Sequence, residues 1–324
     1  MLTAILKNGI VQMETTFPPK PKENEELVRV EYCGICGTDY QKYLNFPNAT
    51  DWGHEIIGRL ADAYGNFSTH VVIKSSFPCG ECKACLEHQQ HNCVNWKRVP
   101  KNGYSEYITI DKKCILQINA QNDKLEYSLI EPLNVAINLV KRISPDNDDV
   151  FAIIGNGTIA LLSVFYLWLM GYRKMSIYAR NTYGIRQQFA ESLGAETYDY
   201  NKTVKSDLLR SNKIINTAPY ETMPVIINNA SPYTTITFNG ISKNSCIPLD
   251  MDTWHFKNLT ISPSFPHPQN DFLEAIKIVE SHGEKLASLI THVFPLVETP
   301  KAFQLMKNKE IDFIKVLIRG TQEQ

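Results

Sequence analysis

Four cysteines, Cys79, Cys82, Cys85 and Cys93, stand close together, separated by two, two and seven residues. Thiolates in this pattern suit a tetrahedral zinc shell with sulfurs about 2.3 Å from the ion. Short spacers let neighbouring sulfurs wrap one ion, and the longer one returns the chain for the fourth. Four protein ligands leave no open position, so the expected role is structural, holding the lobe 79–93 in shape. His88 and His91 lie inside the same lobe and are alternative ligands in place of a cysteine. A thioredoxin-like pair would need only two of the four thiols.

A second constellation lies nearer the N-terminus. Cys33-Gly34-Ile35-Cys36-Gly37-Thr38-Asp39 is followed by Gly53-His54-Glu55. One thiolate, one imidazole and one carboxylate can hold zinc and still leave a position for substrate, as a catalytic site requires. Thr38 adds a hydroxyl two residues from the Cys36 sulfur. Asp39 is expected to accept the second ring proton of His54 and so fix its tautomer. A His-Glu pair alone is more often structural. Cys36, placed beside Thr38 and Asp39, shifts the reading toward catalysis.

The third group is Gly155-Asn156-Gly157-Thr158-Ile159-Ala160, between an apolar strand ending at Ile154 and an apolar helix. In that context the glycines let backbone approach a pyrophosphate at a helix N-terminus. An NAD-preferring fold places a carboxylate about 20 residues on, at the end of the second strand. Here that strand ends in Ala179-Arg180-Asn181-Thr182. Ala179 removes the charge that would repel a 2′-phosphate, and Arg180 offers it a partner. NADP(H) is therefore expected over NAD(H). The plainer alternative leaves Arg180 over the adenine face or in solvent.

Elements must position these groups. Residues 1 to about 130 carry short extended patterns, Leu27–Val30, His70–Ile73 and Tyr104–Ile110, separated by turn residues, and predict a β-rich, barrel-like domain. After Glu131 strand and helix alternate. Strands are expected at Val150–Ile154, Met175–Tyr178, Lys213–Ile215 and Thr234–Phe238, with helices at Thr158–Met170 and Ile185–Leu193. This predicts a doubly wound parallel sheet, the Rossmann arrangement. Helices at Asp271–Ser281 and Val297–Lys307 and a strand at Phe313–Ile318 follow. Pro263, Pro266 and Pro268 crowd one stretch, which reads as a crossing between domains. The expected domains are 1–131 with 266–324, and 132–265.

Composition narrows the class. The 324 residues carry 33 Lys and Arg against 34 Asp and Glu, a formal net charge of −1. There is no basic stripe for a phosphate backbone, so no nucleic-acid partner is expected. The longest apolar run, Ile159–Met170, is too short to span a membrane, and no secretory signal opens the chain. Clustered cysteines in a long, enzyme-like chain favour metal binding in a reducing, cytoplasmic setting.

The order Cys-Gly-x-Cys-Gly-Thr-Asp, Gly-His-Glu and four-cysteine lobe resembles the zinc-containing medium-chain dehydrogenases over nearly the whole chain, to Leu289–His292 and Phe294–Leu296. The resemblance implies a GroES-like catalytic domain beside the cofactor domain. It implies two zincs per chain: one catalytic, on Cys36 and His54, and one structural, on Cys79, Cys82, Cys85 and Cys93. Thr38 matches the hydroxyl that begins proton release. Glu131-Pro132-Leu133 resembles the Glu-Pro-Leu element of the polyol and sugar branch, whose carboxylate reaches the metal directly or through water. Glu131 also suits a helix start. Glu55 and Glu131 both remain candidates for the third ligand. Asn216-Thr217-Ala218 and Phe238-Asn239-Gly240 resemble the nicotinamide side, where Thr217 and the close approach allowed by Gly240 would serve.

Three features depart from that pattern. The intervals from Cys36 to His54 and from Glu55 to Cys79 are short. Tyr40, Gln41 and Lys42 stand where many members have a relay histidine. The chain is also compact after Asn201. Tyr43, Phe46 and Trp52 are candidates for the pocket wall and equally for the core.

The expected function is hydride transfer between a nicotinamide dinucleotide and a secondary alcohol or ketone, a polyol, sugar or sugar derivative. The expected assembly is a homo-oligomer, dimer or tetramer. The competing reading is a catalytically degraded, dinucleotide-sensing zinc-binding protein of the same fold, against which intact Cys36, Thr38, Asp39, His54 and Glu55 argue.

Overall fold

The computed structural model describes residues 1–62, 64–87, 89–98, 102–119, 125–207, 210–240, 246–265 and 269–321. The sequence readings on His88, Pro266 and Pro268 fall outside these, as does the side chain of His91. The chain forms two compact units, Met1–Glu131 with Phe272–Gln324, and Pro132–Asp271.

The first unit is rich in β structure, mostly antiparallel. Its main sheet runs Ile290–Pro295, Lys315–Arg319, Glu25–Gly34, Glu55–Ala61, Phe67–Ile73, Ile115–Gln117, and Tyr107–Asp111 pairs with Glu25–Gly34 beside this path. Alternating Val28 and Val30, with Val71 and Ile73, point inward, as the period of two requires. They close over an aromatic centre. Trp52 stacks on Phe303 with ring centroids 5.0 Å apart, and Tyr104 meets Trp52 edge-on at 5.1 Å. Trp52 is thus core, and Tyr43 packs against the same Phe303 at 5.3 Å. Phe46 is 57% exposed. Tyr43 and Trp52 therefore both contribute to the core of this unit.

The second unit carries a six-stranded parallel sheet. In chain order its strands are Phe151–Ile154, Met175–Ala179, Glu196–Asp199, Lys213–Asn216, Thr235–Phe238 and Thr260–Pro263. In space they lie third, second, first, fourth, fifth, sixth, the order of the dinucleotide-binding α/β fold. The first strand is buried throughout. The helix Thr158–Leu169 has little polar surface and eight buried residues, so it sits inside rather than on a solvated face. Gly171, at φ +95°, follows its last turn as a left-handed terminator. Pro263 lies eight residues before the boundary between the two units. It ends an edge strand, paired with Phe238, where its missing N–H is tolerated.

Candidate active site

The Cys36–His54 constellation is assembled where one strand ends and another begins. Strand Glu25–Gly34 delivers Cys36 to the N-cap of helix Gly37–Asn45. Strand Glu55–Ala61 begins just after His54, and Glu55 is paired with Gly34. Ligand atoms of Cys36, His54 and Glu55 lie within 4.8 Å of one another. Gly53 turns the chain into His54 at φ +69°. A Cβ there would meet the Cys33 sulfur and the Tyr104 ring at 3.0 Å, so both conformation and space require glycine.

Asp39 is placed differently from expectation. Its Oδ1 lies 3.9 Å from His54 Nδ1, beyond hydrogen-bond range. Its oxygens accept instead from the Cys36 amide at 3.3 Å, the Gly53 amide at 3.1 Å and the Tyr104 hydroxyl at 2.9 Å. The contact to Cys36 is the backward half of a capping box. Thr38 is half-buried in the first turn of the same helix.

Glu131 opens the helix Ile130–Arg142, so the helix-start reading holds. It is nevertheless 6% exposed and accepts from the Ser75 hydroxyl at 3.2 Å. Lys315 was not singled out from sequence. Its ammonium pairs closely with Glu55 Oε2 and donates to the Ile35 carbonyl at 3.2 Å. The available signal was a lysine inside the apolar run Phe313–Ile318. Tyr104 had no such signal.

Buried charge tests whether a cation fits here. Asp39, Glu55 and Glu131 are at most 6% exposed, and Lys315 is 2% exposed among them. Three carboxylates against one ammonium leave negative charge in excess away from water, which is costly unless balanced. In the metal-free chain His54 supplies part of the balance. Burial alone would lower its pKa, but Cys36, Glu131 and Asp39 reverse this and hold it well above the ordinary histidine value. Burial also raises the Glu131 carboxyl, with His54 and Lys315 opposing. A divalent cation bound by Cys36, His54 and a carboxylate fits this donor set.

The four lobe cysteines also converge. Sulfur separations are 3.5 Å for Cys82–Cys85, 3.6 Å for Cys79–Cys93 and 3.9 Å for Cys79–Cys85. A tetrahedron with bonds of about 2.3 Å has edges of about 3.8 Å, so the set is dimensioned for zinc. Amides of Glu81 and Cys82 lower the Cys79 thiol to about 6, favouring the thiolate a metal needs.

In the second unit Gly155 follows the first strand at φ +105°, and a Cβ there would lie 2.6 Å from Thr217 Oγ1. Gly157 is the N-cap of the helix Thr158–Leu169, with open space where a side chain would be. Thr158 and Ile159 form its first turn, partly exposed, and Ala160 is fully buried. Ala179 is buried, whereas Arg180 and Asn181 are exposed. A pocket beside this strand end is lined by Asn156, Ala179, Asn181, Thr182, Arg186 and Thr197 among others, and Arg180 lies outside that lining. Arg186, which donates to the Asn156 carbonyl at 3.4 Å, was not singled out from sequence. Thr217 spends its hydroxyl on the Ile154 carbonyl at 3.0 Å. Gly240 does permit a close approach, but to protein: a Cβ would lie 1.8 Å from the Ala218 carbonyl oxygen.

Residues 22–120 match the family described as Alcohol dehydrogenase GroES-like domain. Over its length the chain is similar to L-threonine 3-dehydrogenase of Bacillus velezensis, at 26% identity covering 94% of this chain and 96% of the relative. It is similar at 24% identity, 96% of each chain, to an uncharacterized zinc-type alcohol dehydrogenase-like protein of Escherichia coli. Among solved structures, galactitol-1-phosphate dehydrogenase from Escherichia coli superposes with a TM-score of 0.84 at 21% identity, covering 98% and 100% of the two chains. A dehydrogenase described as zinc-binding, from Sinorhizobium meliloti and bound to NADP, gives 0.82 at 22% identity over 98% of both. The resemblance to zinc-containing medium-chain dehydrogenases therefore extends across both units, with a GroES-like β-rich unit and a Rossmann parallel sheet.

Proposed function

We propose that the chain is a zinc-dependent oxidoreductase that moves hydride between a nicotinamide dinucleotide and a secondary alcohol or ketone, a polyol, sugar or sugar derivative. The observation that carries this is the convergence of Cys36, His54 and Glu55 beside the buried carboxylates Asp39 and Glu131, with only the Lys315 ammonium to offset them. The relatives named as threonine and galactitol-1-phosphate dehydrogenases support small hydroxyl-bearing substrates. An NADP-bound neighbour supports the nicotinamide cofactor.

In this reading Cys36 and His54 hold a catalytic zinc with Glu55 or Glu131, and Cys79, Cys82, Cys85 and Cys93 hold a structural one. Zinc at the first site would supply a positive charge that makes the substrate hydroxyl more acidic, and the nicotinamide would take the hydride. Thr38 accepts the hydroxyl proton and passes it on. Asp39 holds the ligand-bearing loops through their amides. Gly155, Gly157, Thr158 and Ile159 receive the pyrophosphate at the helix N-terminus. Ala179, Arg180 and Asn181 receive the ribose, with NADP(H) preferred, and Thr217 and Gly240 line the nicotinamide side. The protein works in the cytoplasm as a homo-oligomer.

Nicotinamide fluorescence titration tests the cofactor assignment. NADPH is expected to bind more tightly than NADH, and Arg180→Ala to remove most of that difference. Arg186→Ala serves as the comparison, because Arg186 and not Arg180 lines the pocket. Equal binding of both cofactors by the native chain would contradict the preference. A screen of polyols and ketoses then reads substrate class; no turnover with any secondary alcohol or ketone would contradict the activity.

A further inference from the structure

We propose that Tyr104 is a positioning residue for the Cys36–His54 metal site, acting through Asp39. The proposal rests on the metal reading above. Asp39 is fully buried, and its two oxygens are divided between the segments that carry the thiolate and the imidazole. Oδ2 accepts the Cys36 amide and Oδ1 accepts the Gly53 amide, one residue before His54. One carboxylate thus ties both ligand loops together. The shortest of its contacts comes from neither loop but from the Tyr104 hydroxyl, at 2.9 Å.

Tyr104 is built to hold that carboxylate still. Its ring is fully buried, edge-on to Trp52 at 5.1 Å and to Phe303 at 5.8 Å. It also borders Gly53 so closely that no side chain fits there. Burial, then the charge of Asp39, push its pKa well above the ordinary tyrosine value, so the hydroxyl keeps its proton and donates. A hydrogen bond to a buried charge is among the stronger ones. Losing the hydroxyl leaves the ring packing in place and leaves Oδ2 with only its longer contact, the Cys36 amide at 3.3 Å. The common reference of the two ligand loops is then loosened, while the four-cysteine lobe is untouched.

Chelator competition on the full-length, zinc-loaded protein reads both metal sites in one sample. In Tyr104→Phe the affinity of the Cys36–His54 site is expected to fall about 10- to 100-fold, the range for lost partners behind metal ligands, while the lobe site keeps its affinity. With cobalt in the first site the visible absorption bands are expected to shift. Asp39→Asn is expected to weaken the same site, and the double variant to add little, because both break one link. Unchanged affinity and unchanged cobalt bands in Tyr104→Phe would overturn the proposal, whatever the variant's Tm. Cys36→Ser separates the two claims. Loss of one zinc there, with Tyr104→Phe unaffected, overturns the role of Tyr104 alone. Retention of both zincs in Cys36→Ser overturns the metal reading and the proposal with it.

Discussion

Lys315 and Glu55, each 2% exposed, form an ion pair beside Cys36 and His54. Breaking a buried pair from one side leaves the other charge uncompensated. Lys315→Met should therefore destabilise the metal-free protein by about 3–5 kcal/mol in urea denaturation; a loss below about 1 kcal/mol would place Glu55 in a better-solvated site than its burial indicates. His54 makes a prediction in pH. Its pKa is raised in the metal-free fold by Cys36, Glu131 and Asp39 against the opposing effect of burial. Protonated His54 thus contributes stability that is fully present below the unfolded value of about 6.5 and is lost as pH rises through the raised folded value. Metal must displace that proton. The rise in Tm on adding zinc should grow from about pH 6 to about pH 9, read by calorimetry; a pH-independent rise would contradict it. At this scale sequence reading reaches residues that announce their chemistry by type and spacing, such as Cys36, His54 and the lobe cysteines. It does not reach Tyr104, whose role comes from a partner 65 positions away in the chain.

Among the elements, the strand-turn-helix at 151–169 was legible because its signal is local and contiguous. Its glycine loop gives a sharp test. Gly155→Ala would place a methyl 2.6 Å from Thr217 Oγ1 in a left-handed conformation, at a cost of about 1–3 kcal/mol, with dinucleotide binding weakened at least tenfold in fluorescence titration. Binding equal to the native chain would show that the loop does not contact the cofactor. Other elements were hidden for physical reasons. The helix Gly37–Asn45 carries polar and aromatic residues with Asp39 as its fully buried member, so it lacks the apolar stripe that reveals a helix. The strand Thr260–Pro263 was obscured by its proline. The strand Lys315–Arg319 was read as Phe313–Ile318, but its pairing with Glu25–Gly34 spans most of the chain, and no local pattern encodes such a partner.

For the molecule as a whole, near-neutral charge and the α/β alternation were enough to define the class, and the two-unit division follows strand character on either side of Glu131. Among the described residues no helix is long and apolar enough to cross a membrane. Substrate identity stays outside what residue type encodes, because it depends on the shape of a pocket wall. The central claim is that one chain builds two chemically different zinc sites, one closed and one open. The most direct test is zinc content per chain, by elemental analysis of protein purified without chelator. Two zincs in the native protein are expected, falling to one in Cys36→Ser and to one in Cys93→Ser. A single zinc in the native protein that survives Cys36→Ser would contradict the account, leaving the lobe as the metal site and Cys36 and His54 without the ion their chemistry requires.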